Sequence, residues 1–256
     1  MSRIKLFCLP YAGSSAMIYY QWSKFLDKDI DLQPVELAGR GSRIDVPLYD
    51  SMNGAAQDVC CSIKNQIKDT PYAIFGHSMG SWIAFELYHE LKKSGLPMPE
   101  HIFFSGNRAP QLNVKRKRII HNLPENEFKN AILKMGGTPK AVFEDTELAK
   151  IFVPLIRSDY KITEKYIFTP GKSKLECGVS ILCGKDDTIT EEGIEAWNEN
   201  VLNEAEIVYF NGGHFFLNQN VGNVTAYINR TLKRADCYVI ESGRRDQGMV
   251  QYGRFS

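Results

Sequence analysis

Gly76-His77-Ser78-Met79-Gly80 has the G-x-S-x-G pattern of a nucleophile elbow, in which a sharp turn lifts a serine hydroxyl clear of a sheet. The flanks suit it. Tyr72-Ala73-Ile74-Phe75 reads as a buried strand, and Trp82 to Tyr88 has apolar residues at helical spacing that continue through Leu91. The two glycines let neighbouring backbone pass close by. A serine hydroxyl is a poor nucleophile until a base takes its proton and a third group orients that base. The chain has five histidines, so the base can be sought by elimination. His77 lies inside the elbow and faces away from the hydroxyl. His89, His101 and His121 read as surface or packing residues. His214 remains: it stands in a glycine-rich loop, Asn211-Gly212-Gly213-His214, directly after the strand candidate Ile207 to Phe210.

In the α/β-hydrolase arrangement the orienting acid falls between serine and histidine in the chain. The strand candidate Val179 to Cys183 runs straight into Gly184-Lys185-Asp186-Asp187. Neighbouring side chains project differently, so only one aspartate of the pair can reach the imidazole. Asp187 is the preferred one and Asp186 the alternative; the competing role for either is a turn residue or helix cap. Hydrolysis also needs donors for an oxyanion. The backbone N–H after the nucleophile, on Met79, supplies one. The other is expected from the small loop Pro10-Tyr11-Ala12-Gly13-Ser14-Ser15 after the first strand candidate, Ile4 to Leu9: Ala12 first, Gly13 next.

The motifs together resemble a known family. Pro10-Tyr11-Ala12-Gly13, Gly39-Arg40-Gly41 with Arg43, the elbow, Arg157-Ser158-Asp159-Tyr160, Gly184 to Asp187 and Gly212-Gly213-His214 are similar, in order, to the stand-alone type II thioesterases of non-ribosomal peptide and polyketide synthetases. The resemblance spans about Ile4 to Leu232. It implies a triad of Ser78, Asp187 and His214, with the acid on the second aspartate. It also implies a substrate acyl group tethered to the phosphopantetheine arm of an acyl or peptidyl carrier domain. No cofactor of the protein's own is implied, because the phosphopantetheine belongs to the partner. Two positions depart from the pattern: Ser14 stands where a second glycine is usual, and Ala38 where proline is usual.

The elements that must position these residues alternate between strand and helix from Ile4 to about Ser105, which argues for a mostly parallel, doubly wound sheet. From about 107 to 168 the alternation gives way to helical stretches, Glu125 to Met135 and Thr146 to Leu155, expected as an inserted lid. Alternation resumes at Val179 and ends in an amphipathic helix near Val221 to Leu232. The expected organisation is one domain over 1–234 with a loosely ordered tail over 235–256.

Composition excludes several classes. The 256 residues, 43% hydrophobic and 24% charged, are those of a globular protein, and a net charge of +1 gives no pull toward nucleic acid or membrane. No apolar run spans a bilayer and no secretory signal is evident. Six scattered cysteines without C-x-x-C read as buried thiols in a reducing compartment, the cytoplasm. Lys115-Arg116-Lys117-Arg118 is the one dense charge run, a solvated face or a contact for an acidic carrier. Asp159 is expected to pair with a basic residue that holds the lid. A general carboxylesterase, a medium-chain acyl thioesterase and a non-catalytic carrier-docking protein are the competing readings.

Overall fold

The computed structural model describes residues 3–113 and 119–245, with side chains through 233; the Lys115 to Arg118 run and residues 246–256 lie outside the described residues. Six strands form one sheet: β1 (Ile4–Leu9), β2 (Ile30–Pro34), β3 (Tyr72–His77), β4 (His101–Ser105), β5 (Gly178–Gly184) and β6 (Glu206–Phe210). Their order is β2-β1-β3-β4-β5-β6, and every pairing is parallel. The helices are α1 (Met52–Ile63), α2 (Met79–Lys93), α3 (Glu125–Met135), α4 (Ala141–Glu144), α5 (Thr146–Lys165), α6 (Glu191–Glu195), α7 (Phe216–Gln219) and α8 (Val221–Arg245).

Strand side chains alternate between two cores because successive Cβ atoms point to opposite faces. Phe7, Leu9, Ile74, Ile102, Phe104, Ile181 and Cys183 face α1 and α2, where Trp82, Phe85 and Tyr88 complete the packing. Leu6, Cys8, Phe75, Phe103 and Leu182 face Trp22, Tyr19 and, on α8, Tyr227, Ile228 and Leu232. Both faces are covered, so the central strands are buried and mostly apolar, as a parallel sheet requires.

A parallel sheet gathers every strand's carboxyl end on one edge. Leu9 pairs with Gly76, His77 with Ser105, Ser105 with Leu182, and Gly184 with Phe210. The loops after β1, β3, β5 and β6 therefore open side by side, although they lie far apart in the chain. Ligands of open α/β sheets bind at this edge.

The described residues between β4 and β5 add no strand to the sheet. Asp145 caps α5 by accepting from the Glu147 and Leu148 N–H groups. The periodicity predicts that this helix ends at Leu155, where Pro154 removes a ladder donor. It continues to Lys165, because its second half buries Leu155, Ile156, Asp159, Ile162 and Thr163. Phe128 and Ile132 of α3 pack with Ile156 in a small third core. The last helix also outruns its expected end near Leu232 and extends to Arg245.

Trp197, fully buried, stacks on Phe104 with ring centroids 4.1 Å apart and donates its indole N–H to the Asn107 carbonyl at 3.0 Å. Truncation to Ala removes that packing and leaves a cavity, so Trp197→Ala is expected to cost roughly 3–5 kcal/mol, read as a lowered urea midpoint at unchanged slope.

Two imidazoles, His77 and His101, are buried in the strands. Burial lowers both below the ordinary histidine value of 6.5, His101 to about 4. The unfolded chain thus binds protons that the native state refuses as pH falls below 6.5. Stability should be flat above that value and then fall by about 1.4 kcal/mol per pH unit for each such histidine. His101→Gln should flatten the decline by about one proton in urea titrations between pH 6.5 and 4.

Candidate active site

Ser78 lies between β3 and α2 with φ 54° and ψ −114°, the one positive φ among described non-glycine residues. Serine at a helix start ordinarily turns its hydroxyl back to cap the helix. Here that capping bond is not made, which leaves Oγ available above the sheet edge. The glycines on either side are required sterically. A Cβ on Gly76 would lie 2.2 Å from the Gly80 carbonyl oxygen, and one on Gly80 would lie 2.3 Å from that of Leu9. Hydrogen bonds fix the turn from two directions: the Ser78 N–H donates to the Ser105 carbonyl at 2.8 Å, and Asn107 Nδ2 donates to the Ser78 carbonyl at 2.8 Å.

His214 Nε2 is 3.0 Å from Ser78 Oγ, and His214 Nδ1 is 2.8 Å from Asp187 Oδ2. Asp187 is thus the member of the aspartate pair that faces the imidazole, while Asp186 is exposed. The Asp187 side chain is only 4% exposed, and its Oδ1 accepts the Thr188 N–H at 2.6 Å. The two loops are brought together by close backbone contact: a Cβ on Gly184 would meet the Gly213 and Gly212 carbonyl oxygens at 2.4 and 2.5 Å. Among residue types only glycine permits that approach.

The other four histidines lie outside this line. His77 Nδ1 pairs with Ser105 Oγ at 2.8 Å, and its ring lies 5.3 Å from that of His214. Burial, reinforced by the neighbouring His214, holds it well below the usual imidazole range and therefore neutral. His101 pairs with Ser180 Oγ, while His121 Nδ1 lies within hydrogen-bond distance, 2.5 Å, of Glu164 Oε2. Burial also lowers His89, to about 4.

Ser78, Met79, Ala12 and His214 line a cavity of about 530 Å³ that also takes in Tyr11, Asn107, Arg108 and Phe215. Its far wall comes from the segment between β4 and β5: Ala131, Lys134 and Met135 on α3, and Tyr160 and Thr163 on α5. The Gly13 N–H donates to Asp159 Oδ2 at 2.8 Å and is therefore not free for a ligand. Met79 opens α2, where the first N–H groups have no intrahelical acceptor and the helix dipole favours negative charge. Among the described residues no cluster of three His, Cys, Asp or Glu could hold a metal ion, and no helix is long and apolar enough to cross a membrane.

Sequence reasoning gave no part to Asn107 or to Ser81, whose Oγ accepts the Ser105 N–H at 3.1 Å beneath the elbow. Both act on backbone atoms across strands, and the only hint was the position of Asn107 just past β4.

A serine–histidine–aspartate line at the carboxyl edge of a parallel sheet occurs in many hydrolases, and the comparisons narrow it. The thioesterase domain family model matches residues 4–232. The chain belongs to the thioesterase family. It is a thioester hydrolase with an α/β-hydrolase fold. It is 32% identical over 234 residues to the gramicidin S biosynthesis protein GrsT of Aneurinibacillus migulanus, covering 91% of this chain and 90% of that protein. It is 31% identical to the medium-chain S-acyl fatty acid synthase thioesterase of Rattus norvegicus, over 90% of this chain and 88% of the relative. The crystal structure of ClbQ from the colibactin NRPS/PKS pathway superposes with a TM-score of 0.87 at 37% identity, covering 93% of this chain and all of that one.

A Cβ on Gly80 would strike backbone, which cannot swing aside as a side-chain tip can. Gly80→Ala is therefore expected to destabilise the thioesterase by roughly 1–3 kcal/mol in urea unfolding. It should also slow covalent labelling of Ser78 by a fluorophosphonate, read by gel fluorescence.

Proposed function

We propose that this thioesterase hydrolyses acyl groups from the phosphopantetheine arm of carrier domains, clearing misprimed or stalled units from a peptide or polyketide synthetase in antibiotic biosynthesis. The observation that carries the chemistry is the unbroken hydrogen-bonded line from Ser78 Oγ through His214 to Asp187. The carrier-bound substrate is supported by similarity to GrsT, a gramicidin S biosynthesis protein, and to ClbQ from an NRPS/PKS pathway.

In this reading Ser78 Oγ attacks the thioester carbonyl as His214 Nε2 takes its proton. Asp187 holds the Nδ1–H tautomer and stabilises the imidazolium. The carbonyl oxygen becomes an oxyanion that accepts from the Met79 and Ala12 N–H groups, each such donor being worth on the order of 3 kcal/mol at the transition state. Collapse expels the pantetheine thiolate, which takes the proton from His214. Water then attacks the acyl-serine, with His214 again the base, and releases the carboxylic acid. The segment over 107–168 serves as a lid whose α3 and α5 cover the bound acyl group. Binding energy from the carrier, remote from the carbonyl, is available to position the thioester. The five described cysteines are free thiols, which suits action in the reducing cytoplasm.

Ser78→Ala should lose several orders of magnitude in turnover while remaining folded by circular dichroism. Asp187→Asn should also lose orders of magnitude through the wrong histidine tautomer, whereas Asp186→Asn should stay near wild type. Equal losses in the two aspartate variants would contradict the assignment.

The substrate is tested by comparing kcat/KM for one short acyl group on a carrier protein, on coenzyme A, and as a simple ester. The carrier form is expected to be preferred. Equal efficiency on all three would leave a generic acyl hydrolase, and a strong preference for long chains would favour the medium-chain reading that the rat relative represents.

A further inference from the structure

The loop that carries Ala12 has contacts that the hydrolytic cycle does not use. Gly13 adopts φ +77°, and a Cβ there would lie 2.8 Å from Ile156 Cγ1 of α5. The Gly13 N–H donates to Asp159 Oδ2, also on α5, at 2.8 Å. Arg40, from the loop after β2, grips the same carboxylate at both ends: Nη1 to Oδ2 and Nη2 to Oδ1, each 2.8 Å. Its Nη1 also donates to the Ser14 carbonyl at 2.8 Å, and its Nε to that of Ala38 at 3.2 Å. The Arg40 and Asp159 side chains are 1% and 2% exposed.

Two loops from the sheet edge thus meet one helix of the inserted segment in a buried polar knot. Such a pair adds little net stability, because desolvating both charges offsets most of their attraction. Its contribution is geometric: a planar guanidinium bound at two points fixes its carboxylate in distance and direction. That carboxylate in turn fixes the Ala12–Gly13 peptide plane. The adjoining plane, hinged at the Ala12 Cα, carries the N–H of Ala12, a residue that lines the cavity.

We propose that Arg40 and Asp159 are positioning residues for the oxyanion hole, and that α5, through Asp159 and Ile156, is a structural part of that hole as well as its cover. The Ala12 donor is then correctly aimed only while α5 is docked on the sheet edge. An acyl group or carrier that displaced α5 would loosen transition-state stabilisation without touching Ser78, His214 or Asp187. The inference rests on the reading of Ala12 as an oxyanion donor.

The test uses the full chain with Asp159→Asn and with the charge-free pair Arg40→Met/Asp159→Leu. The double variant removes the acceptor of Gly13 without stranding a buried arginine, so it carries the test if the single variant does not fold. Each is assayed for kcat and KM on an acyl thioester, and for inhibition by an alkylboronic acid, whose tetrahedral adduct on serine puts an anionic oxygen in the hole. Loss of one oxyanion donor typically costs 10²–10³ in kcat, so its misalignment is expected to lower kcat by roughly 10–100-fold. KM should shift by less than about threefold, because the interaction is made only in the transition state. The boronate inhibition constant should rise in step with the loss of kcat, while the low-field His214 Nδ1–H proton resonance stays in place. A folded variant with wild-type kcat and boronate affinity, or one with a loss confined to KM, would overturn the proposal. Boronate binding as tight to Ser78→Ala as to wild type would instead overturn the assignment of Ser78 itself.

Discussion

The backbone of Ser78 is held where side-chain-bearing residues rarely sit, and most of the active-site architecture follows from keeping it there. A residue at φ 54° and ψ −114° costs on the order of 1–3 kcal/mol unless its surroundings leave no alternative. The surroundings here are mostly backbone: Gly80 against the Leu9 carbonyl, Gly76 against Gly80, and the Ser78 N–H on the Ser105 carbonyl, with the Asn107 side-chain amide holding the Ser78 carbonyl. Because the turn prevents serine from capping its own helix, the hydroxyl reaches His214. Strain and the presentation of the hydroxyl are thus consequences of a single conformation.

The partners of Ser78 arrive by topology. Parallel strands with both faces covered must send their loops to a common edge, so residues 109 and 136 positions away from the elbow, Asp187 and His214, come within hydrogen-bond reach. Fine alignment comes from glycine: Gly184 lets the acid loop lie against the histidine loop. The electrostatics are equally local. His77, the nearest other imidazole, is kept neutral by burial and adds no positive charge beside the base.

The strands, and the three side chains that the folded chain brings into one hydrogen-bonded line, were legible in the sequence because each depends on near neighbours: an apolar run, a glycine turn, a polar side chain just past a strand end. Family resemblance supports the preference for Asp187 over Asp186, which spacing alone cannot decide, since it does not say which of two adjacent carboxylates turns toward an imidazole. The extent of α5 was not legible, because a proline inside a helix is tolerated only when tertiary burial outweighs the lost backbone bond, and that burial is invisible locally. Arg40 and Asp159 were both visible as motif residues, yet their pairing across 119 positions, and the tie to Gly13, exist only in the folded chain. The Ser14 and Ala38 departures leave that knot intact: both residues contribute carbonyl oxygens to Arg40, and a carbonyl is indifferent to its side chain.

The proposed reaction requires that the acyl group leaves its carrier by way of Ser78. Trapping the intermediate tests this most directly: a short-chain acyl-carrier protein is mixed with the thioesterase, quenched in acid within the first turnover, digested and read by mass spectrometry. The account predicts the acyl mass on the peptide containing Ser78 and on no other peptide, and none in Ser78→Ala. Hydrolysis at the wild-type rate in Ser78→Ala, or an acyl group on another residue in wild type, would contradict it.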